Sequence, residues 1–358
     1  MFKNKGDYPL TVGNLIVDNR LGNFPRYYIG REDDCLMQIP DEIRKSVAFV
    51  CFADKDGIQL AGTAFFVVIG AHEIGYVFGY VVTAKHVIVA VQRTSVDGKA
   101  LLRVNMKAGP SQFVETRVFD WQFHPNEPSV DVAVLPLWLP RDQVDFLPIP
   151  VEMAATNKVI QDEAIGVGDD VFLTGLFVNH VGRNRNLPIV RAGNIALMPE
   201  EPVQTAELGP IDAFLVETRS IGGLSGSPVF VYTGSMRLIG NTNLMGGGNR
   251  FYWLGLMHGH WSIEAPGHDD LTKDAFENER VNMGIAIVVP VSRILEVINQ
   301  EVFVKARQQK IEETQKATLP QADTMDAPLT KEAFEDTLKK VNRPITPWSP
   351  GRIGDAED

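Results

Sequence analysis

Cysteine is almost absent from this chain. Among its 358 residues only Cys35 and Cys51 are cysteines, which excludes a disulfide framework and favours a reducing compartment. Positive charge is also in deficit, because 34 lysines and arginines face 45 aspartates and glutamates and leave a formal net charge of −11. A surface of that sign disfavours nucleic acid or an anionic membrane as the main partner.

Long apolar runs are missing as well. The N-terminus has no hydrophobic segment of the kind found in signal peptides. The most apolar region, residues 62–91, is interrupted by His72, Glu73, Lys85 and His86, so it cannot cross a bilayer as one apolar helix. With 44% hydrophobic and 22% charged residues, the composition predicts a soluble, cytoplasmic protein.

The chain does contain a series of short apolar runs. From residue 46 to residue 290 these runs are rich in Val, Ile, Phe and Thr and are bounded by Gly, Asn, Asp or Pro, a pattern typical of strands. Roughly a dozen strands with few helices between them favour an all-β protein over an alternating α/β fold. Prolines and charges interrupt the series between residues 138 and 165. We therefore predict two similar β-lobes.

After Pro290 the pattern becomes that of a helix. Ile294, Ile298 and Val302 recur at four-residue intervals and define one apolar face. A linker-like stretch and a second, weaker amphipathic segment follow. The last residues show no usable pattern, which predicts a flexible tail.

One segment, Ile221-Gly-Gly-Leu-Ser-Gly-Ser-Pro-Val-Phe230, places glycines and serines between apolar runs. A serine hydroxyl becomes a nucleophile when a base takes its proton and nearby donors hold the oxyanion that forms. Two backbone N–H groups on one tight turn can supply these donors. Gly223 and Gly226, on either side of Ser225, permit such a turn. A solvated serine in a glycine-rich turn is the alternative.

A base and a carboxylate are also present. His86 lies at the end of the apolar run YVVTAKHV, where the rim of a sheet would hold its ring against a crevice; a core histidine is the alternative. Asp131 leads the apolar run DVAVLPL. It is either solvated or buried with a partner, because a buried charge without one is too costly. An imidazole that becomes positive during a reaction would be such a partner.

Together the three segments resemble the trypsin-like (chymotrypsin-fold) serine peptidases. That family's Thr-Ala-x-His, Asp-[Ile/Val]-Ala-[Leu/Val]-Leu and Gly-x-Ser-Gly-[Gly/Ser]-Pro motifs match residues 83–86, 131–135 and 223–228, in that order. The separations, 45 residues from His to Asp and 94 from Asp to Ser, suit one barrel carrying His and Asp and a second carrying Ser. The resemblance covers about residues 46–305.

The resemblance implies two six-stranded antiparallel β-barrels with a C-terminal helix and an extended tail. The implied order is an N-terminal extension (1–45), a first barrel (46–139), a linker (140–165), a second barrel (166–290), a C-terminal helix (291–317) and a flexible tail with a weak amphipathic helix (318–358). The missing disulfides, and Leu224 where secreted members often have aspartate, favour the bacterial and intracellular branch with HtrA-like features. With so few residues after the helix, we expect no PDZ domain.

The resemblance also implies a mechanism. Ser225 would attack the scissile carbonyl, His86 would pass the proton to the leaving amine, and Asp131 would orient the imidazole. The backbone N–H groups of Gly223 and Ser225 would bind the oxyanion. The implied activity is that of a serine endopeptidase acting on proteins or peptides through an acyl-enzyme, without a cofactor. The alternatives are a catalytically silent fold that binds proteins or peptides, and an interaction protein that works through its tail.

In this family the pocket for the side chain before the scissile bond is walled by two segments. One lies about six residues before the nucleophile, and the other is the strand that contains Leu256, Met257 and His258. Here they offer Arg219 and His258 and no acidic residue, which predicts cleavage after Glu or Gln through charge-assisted hydrogen bonds. The alternative is an apolar pocket lined by Leu256 and Met257.

Two further motifs have an ordinary loop as their alternative. His258 and His260, with His268, Asp269 and Asp270, lack the ligand spacing of known metal sites, so we predict no metal. The run Gly246-Gly247-Gly248 is followed by neither a helix start nor a lysine, which favours a loop over a phosphate cradle.

Overall fold

A computed structural model describes most of the two lobes. The described residues are 39, 41–71, 75–205, 209–218, 223–234, 236–239, 242–245, 250–264 and 280–318. Residues 1–311 form one compact unit and residues 312–358 form another. Within the described part of the chain, no helix is long and apolar enough to span a membrane. Most of the predicted N-terminal extension and nearly all of the predicted tail lie outside the described residues.

The first lobe is a curled, mainly antiparallel sheet. Its elements are α1 (Asp41–Lys45), β1 (Val47–Asp54), β2 (Gly57–Ala71), β3 (Tyr76–Thr83), α2 (Lys85–Thr94), β4 (Lys99–Val104), β5 (Gln112–Arg117), β6 (Gln122–Phe123), β7 (Ala133–Pro136) and β8 (Ile149–Pro150). The strand order is β5-β4-β1-β2-β3-β7-β6, and β8 pairs in parallel with β2. Within the described residues β5 and β6 do not pair with each other. This lobe is therefore a curled half-barrel of eight strands, where six strands in a closed barrel were expected.

The second lobe is a closed barrel. Its elements, after α3 (Asn157–Asp162), are β9 (Asp170–Gly175), β10 (Ile189–Leu197), β11 (Val203–Thr205), β12 (Gly209–Ile211), β13 (Phe214–Glu217), β14 (Pro228–Thr233), β15 (Met236–Ile239), β16 (Thr242–Met245), β17 (Arg250–Glu264) and β18 (Arg280–Pro290). Six of these strands close in the order β10-β13-β18-β17-β14-β9, while β11–β12 and β15–β16 are separate hairpins. The predicted all-β fold is confirmed.

The helix expected after Pro290 is present as two helices, α4 (Val291–Ile298) and α5 (Glu301–Thr318). Phe303 at the start of α5 is buried, and its ring packs edge-on against Tyr80 of β3 with centroids 5.6 Å apart. Arg307 donates a hydrogen bond of 2.7 Å to the Tyr80 hydroxyl. The first turns of α5 are thereby fixed to the first lobe.

Aromatic packing joins the two lobes. Trp253 of β17 is fully buried and belongs to the same apolar cluster as the core of the first lobe. Its ring meets Phe65 of β2 edge-on, with centroids 5.5 Å apart, a favoured geometry for aromatic pairs. The second barrel has its own core around Leu173, Phe214 and Leu254. The site described below lies where these two cores meet.

The loop between β9 and β10 docks on the first lobe through polar contacts. The guanidinium of Arg103 in β4 donates to the carbonyl oxygens of Gly182 and Arg183, each at 3.0 Å. Asn105 and Asn186 exchange two hydrogen bonds, of 3.2 and 2.7 Å. Arg103 is only 9% exposed, so these bonds connect the lobes away from solvent.

Candidate active site

His86 and Asp131 are held together by the pairing of β3 with β7. Thr83 at the end of β3 lies opposite Ala133 at the start of β7, which places the residues just beyond each strand end side by side. The chain turns into α2 at Lys85, so His86 is the second residue of a helix and not a strand residue. Its backbone N–H donates to Asp131 Oδ1 at 2.8 Å, and its ring Nδ1 meets Asp131 Oδ2 at 2.7 Å.

The Asp131 carboxylate is buried, with 1% of its surface exposed. Besides the two bonds from His86, its Oδ2 receives a third from Nδ1 of His258 at 2.5 Å. Burial alone would raise the pKa of Asp131, but the hydrogen bonds from His258 and His86 outweigh it and hold that pKa well below its usual range. The carboxylate is therefore ionised, and it accepts three hydrogen bonds.

These bonds fix the tautomers of both histidines. An ionised carboxylate can only accept hydrogen bonds, so the ring Nδ1 of His86 and that of His258 each carry a proton. In the neutral ring the second nitrogen, Nε2, is then an acceptor. His86 is 35% exposed at its side chain, so its Nε2 can serve as a base accessible to a substrate.

Ser225 sits on a tight turn just before β14. Gly223 and Gly226 have φ values of +95° and +83°, a region that residues with a Cβ rarely adopt. A Cβ on Gly226 would lie 2.2 Å from the carbonyl oxygen of Thr63. The glycines that the sequence places around the serine are therefore required by the backbone and by its neighbours.

Thr63 of β2 fastens this turn to the first lobe. Its N–H donates to the carbonyl oxygen of Ser225 and its hydroxyl to that of Gly223, both at 2.9 Å. The same hydroxyl accepts from the N–H of Leu176 at 2.9 Å. Thr63 is fully buried, and its only unusual sequence feature is a polar side chain within an apolar run. Sequence reasoning did not single it out.

The hydroxyl of Ser225 donates to the backbone carbonyl of His258 at 3.1 Å. His258 thus forms hydrogen bonds with two of the three predicted catalytic residues, with Asp131 through its ring and with Ser225 through its carbonyl. Its ring also lies edge-on to that of His86, with centroids 5.3 Å apart. His86 and Asp131 are in direct contact, and Ser225 joins them through His258.

The residues predicted to wall a specificity pocket occupy different positions. Leu256 is fully buried and Met257 is 1% exposed, each within an apolar core. The His258 ring is 9% exposed and faces Asp131. Arg219 lies outside the described residues. The preference for Glu or Gln stays a prediction, to which the His258 side chain lends no support.

In the part of the chain that the structure describes, two groups of side chains bring potential metal ligands together. In the first, formed by His86, Asp131 and His258, the ligand atoms are 2.5 and 2.7 Å apart; ligands around a tetrahedral zinc lie about 3.4 Å apart, so these are hydrogen bonds. In the second, His124 Nδ1 accepts from the N–H of Glu127 at 3.0 Å. Its Nε2 then carries the proton and donates to Glu296 at 3.1 Å. Neither group, as it is hydrogen-bonded here, fits a metal. The motif that includes His268, Asp269 and Asp270 lies outside the described residues. The glycine run 246–248 lies outside them as well.

No family model and no curated protein matches the chain. The chain is similar in fold to solved structures, three of which are as follows. The MamO protease domain of Magnetospirillum magneticum is 14% identical, with 71% of this chain and 96% of that chain covered and a TM-score of 0.41. Deg5 is 16% identical, with 71% of this chain and 88% of that chain covered and a TM-score of 0.40. An inactive form of Rv3671c from M. tuberculosis H37Rv is 15% identical, with 72% of this chain and 87% of that chain covered and a TM-score of 0.35.

Proposed function

We propose that this protein is a trypsin-like serine endopeptidase that hydrolyses proteins or peptides through an acyl-enzyme. The observation that carries the proposal is the contact of His86 with Asp131. A buried, ionised carboxylate receives both the backbone N–H and the ring Nδ1–H of His86, which leaves Nε2 as the acceptor that a general base requires.

In the proposed reaction the Ser225 hydroxyl turns from the His258 carbonyl to Nε2 of His86 and attacks the scissile carbonyl carbon. His86 takes the hydroxyl proton and delivers it to the leaving amine, and Asp131 stabilises the imidazolium between these steps. The N–H groups of Gly223 and Ser225 would hold the oxyanion. Water then attacks the acyl-enzyme by the same route, with His86 again acting as the base.

A catalytically silent module that binds proteins or peptides is the second candidate. The observation that favours it is the hydrogen bond from the Ser225 hydroxyl to the His258 carbonyl. A hydroxyl held there must reorient before it can act as a nucleophile. If reorientation costs too much, the cleft would bind an extended peptide without cutting it.

Labelling with a fluorophosphonate separates the two candidates, because only an activated serine reacts with it. We expect wild type to be labelled and Ser225→Ala not to be. Ser227→Ala is the matched control. The Ser227 hydroxyl is buried two residues away and has no hydrogen-bond partner among the described residues, so this variant should be labelled like wild type. A folded wild-type protein that resists the probe would support the binding module.

We also propose that the protein acts in a reducing compartment, with the cytoplasm as the expected location. Cys51 is a buried free thiol, and burial raises its pKa to about 12, so it remains protonated and unreactive. Measuring the ratio of oxidised to reduced thiols in the protein isolated from its native cells tests this location. Quantitative oxidation of Cys35 would contradict it.

A further inference from the structure

His258 links the two lobes at the triad. It belongs to β17 of the second lobe, whereas Asp131 belongs to the first lobe. The bond from its Nδ1 to Asp131 Oδ2, at 2.5 Å, spans 127 residues of sequence. Its own carbonyl oxygen, on the same residue, accepts from the Ser225 hydroxyl at 3.1 Å. One residue therefore fixes the carboxylate and the resting position of the nucleophile.

We propose that His258 is a positioning residue of this site: its Nδ1–H holds Asp131 in the orientation that His86 needs, so that one carboxylate serves two imidazoles. The proposal rests on the proposed peptidase function for its kinetic consequences, although the arrangement itself does not depend on turnover. It replaces the role in substrate selection that the sequence suggested for His258.

The burial of Asp131 makes this second imidazole necessary. With both histidines in place, Oδ2 accepts two ring N–H groups and Oδ1 accepts one backbone N–H. Removing the His258 donor would leave a buried anionic oxygen with half of its hydrogen bonds and no access to water, since Asp131 is 1% exposed. A buried charge in that condition is unfavourable, and rotation of the carboxylate toward another donor would misplace His86.

The second imidazole also means that one carboxylate charge interacts with two histidine rings. The ionisable groups in contact with the His258 ring are Asp131, through the hydrogen bond, and His86, whose ring centroid is 5.3 Å away. Both rings therefore share one carboxylate, and the negative charge on Oδ2 faces two N–H donors.

The kinetic test compares two substitutions at one position. His258→Asn places an amide N–H donor close to where Nδ1 lies but cannot titrate, and His258→Leu fills similar space without a donor. We expect His258→Leu to lose about tenfold to a hundredfold in kcat, the usual effect of removing one hydrogen bond to a charged group, with KM little changed. His258→Asn should keep most of kcat, because its amide N–H can still donate to Asp131 Oδ2. A folded His258→Leu with unchanged kcat would overturn the proposal.

Proton NMR tests the arrangement without turnover. In the Ser225→Ala protein with ¹⁵N-labelled histidine, two Nδ1–H protons hydrogen-bonded to a carboxylate should resonate far downfield of the amide region. In the double variant Ser225→Ala, His258→Asn one signal should disappear and the other should remain. Fewer than two signals in the parent, or two in the double variant, would overturn the proposal. Because this measurement needs no catalysis, it still decides the role of His258 if the peptidase assignment fails.

Discussion

The hydroxyl of Thr63 donates to the carbonyl oxygen of Gly223 at 2.9 Å, although 160 residues of chain separate the two. This bond fixes the orientation of the peptide group between Gly223 and Leu224, next to the N–H groups that would hold the oxyanion. The donor lies on a strand of the first lobe and the acceptor on the turn that carries Ser225. The geometry of the proposed oxyanion site is therefore set in part from the other lobe.

Thr63→Val removes this hydroxyl while keeping the shape of the side chain. We expect kcat to fall about tenfold to a hundredfold, less than the loss of a direct oxyanion donor, because the turn loses a hydrogen bond but keeps its backbone bond from Thr63 to Ser225. Thr63→Ser keeps the hydroxyl and serves as the control. Steady-state kinetics on a peptide substrate measures the effect. Equal kcat values for the Val and Ser variants would contradict the role assigned to Thr63.

Gly226→Ala should strongly destabilise the fold. The φ of +83° disfavours alanine, and the added Cβ would also lie 2.2 Å from the Thr63 carbonyl oxygen. Gly109→Ala is a matched control, because Gly109 has a φ of +82° but no atom within 4 Å of an added Cβ. Urea unfolding should show a loss of about 1 kcal/mol for the control and several times more for Gly226→Ala. Similar losses would mean that the turn relaxes to admit the methyl group.

His86→Ala should abolish hydrolysis, while His260→Ala should retain it. His86 contacts the ionised carboxylate, and removing the base of a serine triad costs about four to six orders of magnitude in kcat. His260 lies two residues beyond His258 in the same strand and is exposed, which makes it a suitable control. Activity and circular dichroism should be measured on both variants. Loss of activity in folded His260→Ala with retention in His86→Ala would contradict the triad.

The ionised state of Asp131 makes stability depend on pH in a defined direction. Its pKa in the folded protein lies below the usual range, so its stabilising effect is fully present above the unfolded-state pKa of about 4 and is lost as the pH falls further. Wild type should be more stable than Asp131→Asn at neutral pH, and the gap should narrow below about pH 4. Asp142→Asn, at an exposed position, is the control. Urea unfolding across this range measures the gap, and a gap that widens on acidification would contradict the assignment.

The start of α5 should resist proteolysis. Arg307 bonds to Tyr80, and Ile311 packs against the core of the first lobe, so protection from proteases should extend beyond Phe303. A chain ending at Ile311 should melt at a higher temperature than one ending at Phe303.

Single substitutions in α5 separate the docking contact from general helix effects. Arg307→Ala should cost about 1 kcal/mol or more, since it removes the hydrogen bonds to Tyr80, Ile298 and Asn299 and a cation–π contact with the Tyr80 ring at a partly exposed site. Lys305→Ala, at an exposed position, should cost less. Thermal unfolding measures both. Equal melting temperatures for the chains ending at Phe303 and Ile311 would show that this docking contributes nothing.

Local pattern predicted most strands, and the resemblance of the three motifs implied the His86–Asp131 contact, but neither predicted α2. The run Val87-Ile88-Val89-Ala90-Val91 is rich in β-branched residues, which favour strands, yet it forms a helix that buries Val87, Ile88 and Val91. Burial against the first lobe decides the outcome, and burial depends on residues far away in sequence. The open form of the first lobe could not be predicted for a similar reason. Whether two edge strands pair and close a barrel is not encoded in any local pattern.

The orientation of His258 was equally beyond the sequence. Alternation along a regular strand assigns each side chain to a face, but the register of β17 against β18 shifts between Met257 and Gly259. A bulge of this kind re-aims a side chain, and here it brings His258 to Asp131. A periodic pattern cannot reveal where its own period is broken.

The contacts of Arg103 couple the unfolding of the two lobes. The guanidinium of Arg103 in the first lobe binds two carbonyl groups of the second, and only 9% of the residue is exposed. If either lobe unfolded alone, this guanidinium would lose both hydrogen-bond acceptors. Neither half could then melt ahead of the other, and heating would give one calorimetric peak with equal van't Hoff and calorimetric enthalpies. For the same reason, replacing the second lobe with that of another protein would remove the two carbonyl groups that Arg103 of the first lobe binds.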